Sequence, residues 1–477
     1  MADNSRKQLI MIDIDGIHPD VLYGFLDDKT TNTSRLAGTG LRAENASAVF
    51  PAVTLSCQPS MFTGVFPGRH GIIGNSWFDR HSDPLMYRRY TTAATAAGVY
   101  GFGLVGFPTI ILPQRPQLQY ANNDMATDVK TVYQFAAAAG LDSWQVFNQI
   151  SRGVGKWIKP TRPEMILFAL CHEELVHNKH WDKATFKHLF RDMRKNPLPD
   201  LTVFYISGHD NSSHENGPDT QNDYYRQIVD PLFGLFIAEL EKIRPLEEFH
   251  FLLAADHCQA KTVREKTHIV TNEMLAEVMN GVPGGGFALF DKKSVRDADT
   301  AVICTEAFTA QVHLKNRQTG RWADEPDFER DTLPAAAAFE KLKNGQMPFV
   351  DIVLVRRGFG ADYEVFSGGS LISLENFFSG KESEYPDAVR RLKGVNCSRC
   401  GDMMVLLDCR KGYYFGDKPK AGEHGGLHIL DSAVPFAVSG PGIPNSTVRD
   451  ASIVDIVPTI GKIMGFETPG VDGKSLL

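Results

Sequence analysis

"QLIMIDID" (8–15) is the stretch on which the reading of the fold turns. Its apolar residues occupy both faces of an extended chain, and it is too short for an amphipathic helix. It ends in acids. "LTVFYISGHD" (201–210) and "FHFLLAADH" (249–257) repeat the pattern, and "MMVLLD" (403–408) and "PFAVSGPG" (435–442) extend the series. Runs that are apolar on both faces suit central strands of a sheet covered by helices. Helical spacing appears between them, at Ile228, Leu232, Leu235 and Leu240 and again at Ile453, Ile456, Ile460 and Ile463. Strand and helix alternate, which predicts an α/β protein with a mostly parallel central sheet flanked by helices. The segment 259–397, with "GVPGGG" (281–286) and a less regular pattern, reads as an inserted α+β cap. Residues 1–258 and 398–477 then form the catalytic core.

In open sheets of this kind ligands bind beyond the carboxyl ends of the strands. Asp13, Asp15, Asp210 and Asp256 fall at that end of their predicted strands, so carboxylates from three strands converge on one edge. Histidines accompany them. Asp210 and His214 lie four apart in "SGHDNSSHENGP", Asp256 and His257 are adjacent, and His424 is bracketed by glycine in "AGEHGGLHIL". Mixed oxygen and nitrogen donors suit Zn2+ and related transition metals better than Ca2+ or Mg2+. The set is too large for one tetrahedral ion, and a two-metal site can hold both the attacking and the leaving oxygen of a phosphoryl transfer. Taken singly, each residue has a plainer reading as a helix cap or a solvated loop residue. His209 and His428 are read as supporting or incidental neighbours of the site, and "CSRC" (397–400) with Cys409 lacks a clear fourth zinc ligand and reads as reduced cysteines around a turn and strand.

"FPAVTLSCQPSMFTG" (50–64) offers three nucleophiles, Thr54, Ser56 and Cys57. A threonine hydroxyl attacks only when a base or metal activates it, and zinc lowers the pKa of a bound hydroxyl as it does that of water. At a helix start Thr54 would also turn substrate oxygens toward free backbone N–H groups. The plainer alternative is that Thr54 is a helix N-cap.

Composition bounds the partners. A net charge of −7 without a long basic run gives no support for nucleic-acid binding and leaves small molecules as partners. "MADNSRKQLIMIDIDG" lacks the layout of a secretory signal, and seven scattered cysteines fit reduced thiols, so a cytoplasmic protein is expected. Tyr90–Pro113 carries no charge over a length that could span a bilayer. Four glycines and Pro108 interrupt it, so it reads as a buried wall of the core, with a lipid-touching lid as the alternative.

The motifs together resemble the alkaline phosphatase superfamily, and most of all its type I phosphodiesterase/nucleotide pyrophosphatase branch. "DIDGIHPD" is similar to the branch's Asp-Gly-x-x-Pro-Asp start, and "TLSCQPSMFTGVFPGRHGIIGN" to its nucleophile segment. Asp210-x-x-x-His214-x-x-Gly-Pro, Asp256-His257 and Gly-x-His424-Gly follow in the family's order, and the end, "AVPFAVSGPGIP" then "DIVPTIGKIMGFETPGVDG", is similar to the superfamily's closing strand and helix. The resemblance implies two Zn2+ ions. One would be held by Asp210, His214 and His424, the other by Asp15, Asp256, His257 and the Thr54 hydroxyl. It further implies in-line attack by Thr54, a phosphothreonine intermediate and an Asn75 amide donating to a phosphoryl oxygen. The implied activity is hydrolysis of phosphodiester or pyrophosphate bonds.

The chain departs from the branch at Leu55, where nucleotide-hydrolysing members usually carry an aromatic that stacks on a base. Phosphonoacetate hydrolases share the threonine and the metal pattern but need cations to hold a carboxylate; Lys261 and Arg69 are the candidates. A phosphonate hydrolase, a phosphomonoesterase, a lipid-associated phosphodiesterase and a non-catalytic binding homologue are therefore the alternatives. Substrate choice is expected to lie in 90–165 and in the cap. The sulfatase reading of "CQPS" fails on spacing. The modified cysteine there precedes the Thr of Thr-Gly by nine residues, the offset of Thr54 from Thr63, whereas Cys57 falls three too late.

Overall fold

The computed structural model describes residues 7–83, 85–90, 121–161, 163–164, 178–282, 295–343, 345 and 348–477. Leu9–Ile14 is buried along its whole length and lies at the centre of a nine-stranded sheet. It pairs in parallel with Leu201–Ile206 on one side and His250–Ala254 on the other. Beyond Leu201–Ile206 the sheet continues in parallel through Ser143–Val146 to Lys156–Ile158. Beyond His250–Ala254 comes Phe436–Ser439, which is antiparallel to its neighbours, then Leu41–Ser47 and, parallel to it, Ser446–Ser452. The mostly parallel α/β sheet expected from the apolar runs is thus present, with two reversed strands, Phe436–Ser439 inside it and Ala433–Val434 at the edge beside Leu41–Ser47.

Helices cover both faces and close a single large core around the sheet. The closing helix Ile456–Met464 buries Ile456, Ile460 and Ile463, and Ile453 just before it is buried too. The earlier helical spacing is corrected at one position. In Asp230–Leu240 the buried side chains include Leu232, Phe233, Phe236, Ile237 and Leu240, whereas Leu235 is 58% exposed. A five-residue π turn at Tyr225–Val229 rotates the face that follows it, which a strict 3.6-residue count from Ile228 does not capture.

A second sheet has six antiparallel strands in the order Ala301–Thr305, Thr309–Leu314, Met403–Leu407, Val350–Val355, Glu364–Ser367, Ser370–Ser373. "MMVLLD", expected in the central sheet, is an inner strand of this second one. The reason is physical. Met403, Val405, Val353 and Val355 pack into a core of their own, while Met404, Leu406, Ile352 and Leu354 on the opposite face pack into the main core. Burial on both faces makes a continuous apolar run in either sheet. The second sheet is fastened to the core by a bidentate pair, Arg80 to Asp402 at 3.0 and 3.1 Å, with side chains 0% and 3% exposed.

Among the described residues no helix is long and apolar enough to cross a membrane. The uncharged stretch to Pro113 lies, from residue 91 on, outside the described residues.

Candidate active site

The polar residues singled out in the sequence gather where the central parallel strands end. Asp15 follows Leu9–Ile14 directly, and Asp256 and His257 follow His250–Ala254. Gly16 turns the chain away with φ +68°; a Cβ there would sit 2.8 Å from Asp210 Oδ1, so only glycine lets these two loops meet. Asp210 and His214 project from the same face of the helix Gly208–Asn216, one turn apart. His424 is brought in by the short strand Gly422–Glu423, which pairs with Ala260–Lys261 just beyond His257.

The donor atoms of Asp15, Asp256 and His257 all lie within 4.8 Å of one another, as do those of Asp210, His257 and His424. His214 Nε2 stands 3.3 Å from Asp210 Oδ2, and His424 Nε2 stands 3.8 Å from Asp210 Oδ1. His257 Nε2 is 3.3 Å from Asp15 Oδ1 and 3.5 Å from Asp256 Oδ2. Each imidazole has its other nitrogen at a backbone carbonyl. His214 Nδ1 meets Gly422 O at 2.7 Å, His257 Nδ1 meets Cys258 O at 3.2 Å, and His424 Nδ1 meets Ala52 O at 2.9 Å. Donation from Nδ1–H fixes the tautomer and leaves all three Nε2 lone pairs facing the carboxylates, as metal-binding histidines require.

Electrostatics point the same way. Burial raises the Asp15 carboxyl well above its ordinary range, and the charges of Asp256 and Asp210 push it further, against a hydrogen bond from Tyr205. Burial also opposes the charge of Asp210, but the imidazoles of His214, His424 and His257 outweigh it and hold that carboxyl well below the usual range. His424 is driven well down by burial and by neighbouring His257, although Asp210 draws it up. Asp15 Oδ1 is buried and accepts no hydrogen bond. Crowded carboxylates, imidazole Nε2 atoms aimed inward and an unsatisfied buried oxygen fit divalent cations. The donor atoms of His214, Glu423 and His424 also lie within 4.8 Å of one another. Glu423 lies on the Nδ1 side of His214 at 3.5 Å and is paired with Lys420 at 2.9 Å.

Thr54 opens the helix Thr54–Thr63, and Val53 occupies the N-cap position with no side-chain cap bond. Thr54 is therefore not the cap. Its Oγ1 instead lies 3.1 Å from His257 Nε2, at the Asp15–Asp256–His257 cluster. Ser56 and Cys57 are fully buried, and the Ser56 hydroxyl is bonded to the carbonyls of Pro51 and Val53. Asn75 accepts the Leu55 N–H at 3.0 Å, which anchors its side-chain oxygen at the helix start and leaves the NH2 group to donate.

Several supporting residues escaped the sequence reading. Gln58 lies one turn after Thr54 and donates to Asp13 at 2.7 Å and to Asp256 at 3.2 Å. Asn148 donates to the same Asp13 oxygen at 3.2 Å. Asp13, raised by burial and by Asp256, is thus an anchor behind the site. Tyr205 donates to Asp15 and Gln259 to Asp210. From the second sheet comes Glu306, whose Oε1 accepts the Ser76 N–H at 2.7 Å. A Cβ on Gly425, which has φ +118°, would sit 3.2 Å from Glu306 Cβ, so this side chain is wedged between the Asn75 turn and the His424 loop. The i+4 spacing from Thr54 was the available signal for Gln58; Glu306 left none.

The remaining candidates take structural parts. His209 is buried behind Asp15, with Nδ1 3.3 Å from the Asp15 carbonyl, and His428 caps the helix Ile429–Ser432. Arg69 binds Asp472 and the Gly470 carbonyl, and Lys261 pairs with Asp219.

Known proteins resemble this chain in sequence and in fold. Residues 9–428 match the family model "Type I phosphodiesterase / nucleotide pyrophosphatase". Alkaline phosphatase PhoV of Synechococcus elongatus is 21% identical over 98% of this chain and 92% of its own length. A calcium-transporting ATPase of Myroides odoratus is 21% identical over 97% and 92%. Among solved structures, murine ectonucleotide pyrophosphatase / phosphodiesterase 5 superposes with a TM-score of 0.63 at 13% identity, covering 98% of each chain. An inactive threonine-to-alanine form of it in complex with AMP gives 0.62 at 13% identity, over 98% of this chain and 97% of that one. The fold is that of these proteins, and the chain belongs to the type I phosphodiesterase / nucleotide pyrophosphatase family of metal-dependent phosphoester hydrolases.

Proposed function

We propose that the protein is a two-zinc phosphodiesterase that works through a phosphothreonine at Thr54. The observation that carries this reading is the 3.1 Å separation between Thr54 Oγ1 and His257 Nε2, at the Asp15–Asp256–His257 donor cluster. Asp15, Asp256 and His257 would hold one ion beside the nucleophile, and Asp210, with His214 and His424 at 3.3 and 3.8 Å from its carboxylate, the other. When bound, the ions would lower the pKa of coordinated hydroxyls and neutralise charge that develops on phosphoryl oxygens.

The chain's own residues set the geometry. Thr54, at the first turn of its helix, places Oγ1 for in-line attack on phosphorus while the ester oxygen leaves on the opposite side. Asn75 NH2 donates to a non-bridging oxygen at the helix start, where backbone N–H groups also favour an anion. Water then opens the Thr54 ester and restores the hydroxyl. Leu55 is buried after Thr54, so no aromatic at that position stacks on a base. Small phosphodiesters fit this reading as substrates, and the free thiols of the described cysteines support a reducing, cytoplasmic setting.

The test compares bis-p-nitrophenyl phosphate, p-nitrophenyl phosphate and phosphonoacetate, with and without a chelator. The diester should turn over fastest, and zinc should restore activity after chelation. Turnover indifferent to chelation would refute the metal mechanism, and a preference for the monoester would refute the diester assignment.

A further inference from the structure

Outside the site, the turn after helix Ala388–Val395 brings together two sulfurs that the proposed reaction does not use. Cys397 Sγ and Cys400 Sγ are 3.9 Å apart. The Cys400 N–H donates to the Cys397 carbonyl at 3.1 Å, closing a hydrogen-bonded turn. Such a turn holds its end Cα atoms within about 7 Å, and a disulfide needs about 4.4–6.8 Å. We propose that Cys397 and Cys400 form a reversible disulfide by exchange with a low-molecular-weight disulfide, with Cys397 as the attacking thiol and Cys400 as the resolving one.

The turn is built for this. The buried Arg356 guanidinium donates to the Cys397 carbonyl at 2.7 Å, to Asn396 Oδ1 at 2.9 Å and to the Cys400 carbonyl. The two cysteines are therefore held in register in the reduced form, and little chain entropy is lost on closing the ring. Cys397 is partly exposed, whereas Cys400 is buried. The Cys400 S–H donates to the Val395 carbonyl at 3.1 Å; the contact between the two sulfurs, helped by the Arg399 backbone and by the Arg356 and Arg399 charges, lowers the Cys397 thiol to about 7 against the effect of burial. Burial, and then the neighbouring Cys397, raises the Cys400 thiol well above its ordinary value. Cys57, Cys258, Cys304 and Cys409 are buried, and burial raises each of their thiols. Exchange is thereby confined to the turn among the described cysteines. Among the described residues neither sulfur belongs to a cluster of metal-ligating atoms.

The chemistry balances. The Cys397 thiolate attacks one sulfur of RSSR, forming a mixed disulfide and releasing RS−, which takes up the proton Cys397 lost. Cys397 no longer carries charge, so its contribution to the raised Cys400 thiol disappears. Cys400 then loses its proton, attacks Cys397 Sγ and expels the second RS−. Two protein thiols are oxidised and one RSSR is reduced to two RSH. The turn also carries Arg399, which donates to the Gly71 carbonyl at 2.6 Å and to Asp79 at 3.0 Å, at the two ends of the segment bearing Asn75.

The test treats the full chain with oxidised glutathione under native conditions, then alkylates, cleaves after arginine and maps the peptides. Cleavage at Arg399 separates the two cysteines, so the disulfide appears as a linked peptide pair that dithiothreitol releases. Cys400→Ser should instead retain glutathione on Cys397, and Cys397→Ser should form neither product. Both wild-type thiols remaining open to alkylation, a stable glutathione adduct on the wild type, or equal thiol loss in Cys397→Ser would overturn the proposal. If the serine variants do not fold, the wild-type mapping decides alone.

Discussion

In the nine-stranded sheet the reactive polar groups stand beyond the strand ends, at the mouth of the fold; in the six-stranded sheet the polar groups that matter are spent on holding the structure. Asp15, Asp210, Asp256 and His257 follow central strands and face one another with lone pairs inward. Around the second sheet, Asp402 grips Arg80, Arg356 binds the carbonyls of the Cys397–Cys400 turn, and Glu306 braces the Asn75 turn. A parallel sheet ends its strands in one direction and can gather ligands from several of them. An antiparallel sheet sends adjacent strand ends opposite ways and serves here as a brace. The first region should therefore answer mutation in activity and metal content, the second in stability.

The largest effect should come from the first region. Thr54→Ala should lower kcat about a thousandfold or more, with the fold and metal content nearly intact, because the proposed nucleophile is lost. Steady-state rates alongside metal analysis check this. Residual turnover within tenfold of wild type would contradict it.

Arg80→Ala is the counterpart in the second region. It strands the buried Asp402 carboxylate, and breaking such a pair costs about 3–5 kcal/mol. Denaturant midpoints should fall accordingly, while the folded fraction should keep its metal. A loss of metal at full stability would erase the distinction between the two sheets.

Gln58→Ala should fall between these. Gln58 orients Asp256 without being a ligand, and removing such a partner typically costs about 10–100-fold in metal affinity or activity. Competition with a zinc indicator measures it.

Glu306→Gln should change activity least, and it extends the comparison through pH. Burial raises the Glu306 carboxyl to about 8, against hydrogen bonds from Ser76 and Asn75. Because the folded state holds this proton more tightly than the unfolded chain, the group's stabilising contribution is full below its unfolded pKa. It is lost as pH rises through about 8. Wild type should therefore lose stability relative to Glu306→Gln as pH rises from about 4.5 to about 8. Parallel stability curves for the two proteins would show that the proton is not held there.

The same contrast explains what could be seen in the sequence. Asp15, Asp210 and Asp256 were visible because an acid ending an apolar run has a position as well as an identity, and His214 because it lies one helical turn from Asp210. Thr54 stood out through its offset from Thr63-Gly64. "MMVLLD" was misplaced because two-sided burial has one sequence signature in both sheets. Leu235 was misplaced because a π turn breaks the helical count. Glu306 was invisible: it reaches Ser76 across 230 residues, and no local pattern records such a contact.

In the proposed reaction Thr54 takes the phosphoryl group before water does. The most direct measurement is the stereochemical course of hydrolysis of a chiral phosphorothioate diester in isotopically labelled water. Two successive in-line displacements, first by Thr54 and then by water, predict net retention at phosphorus. Net inversion would mean that water attacks directly and would contradict the account.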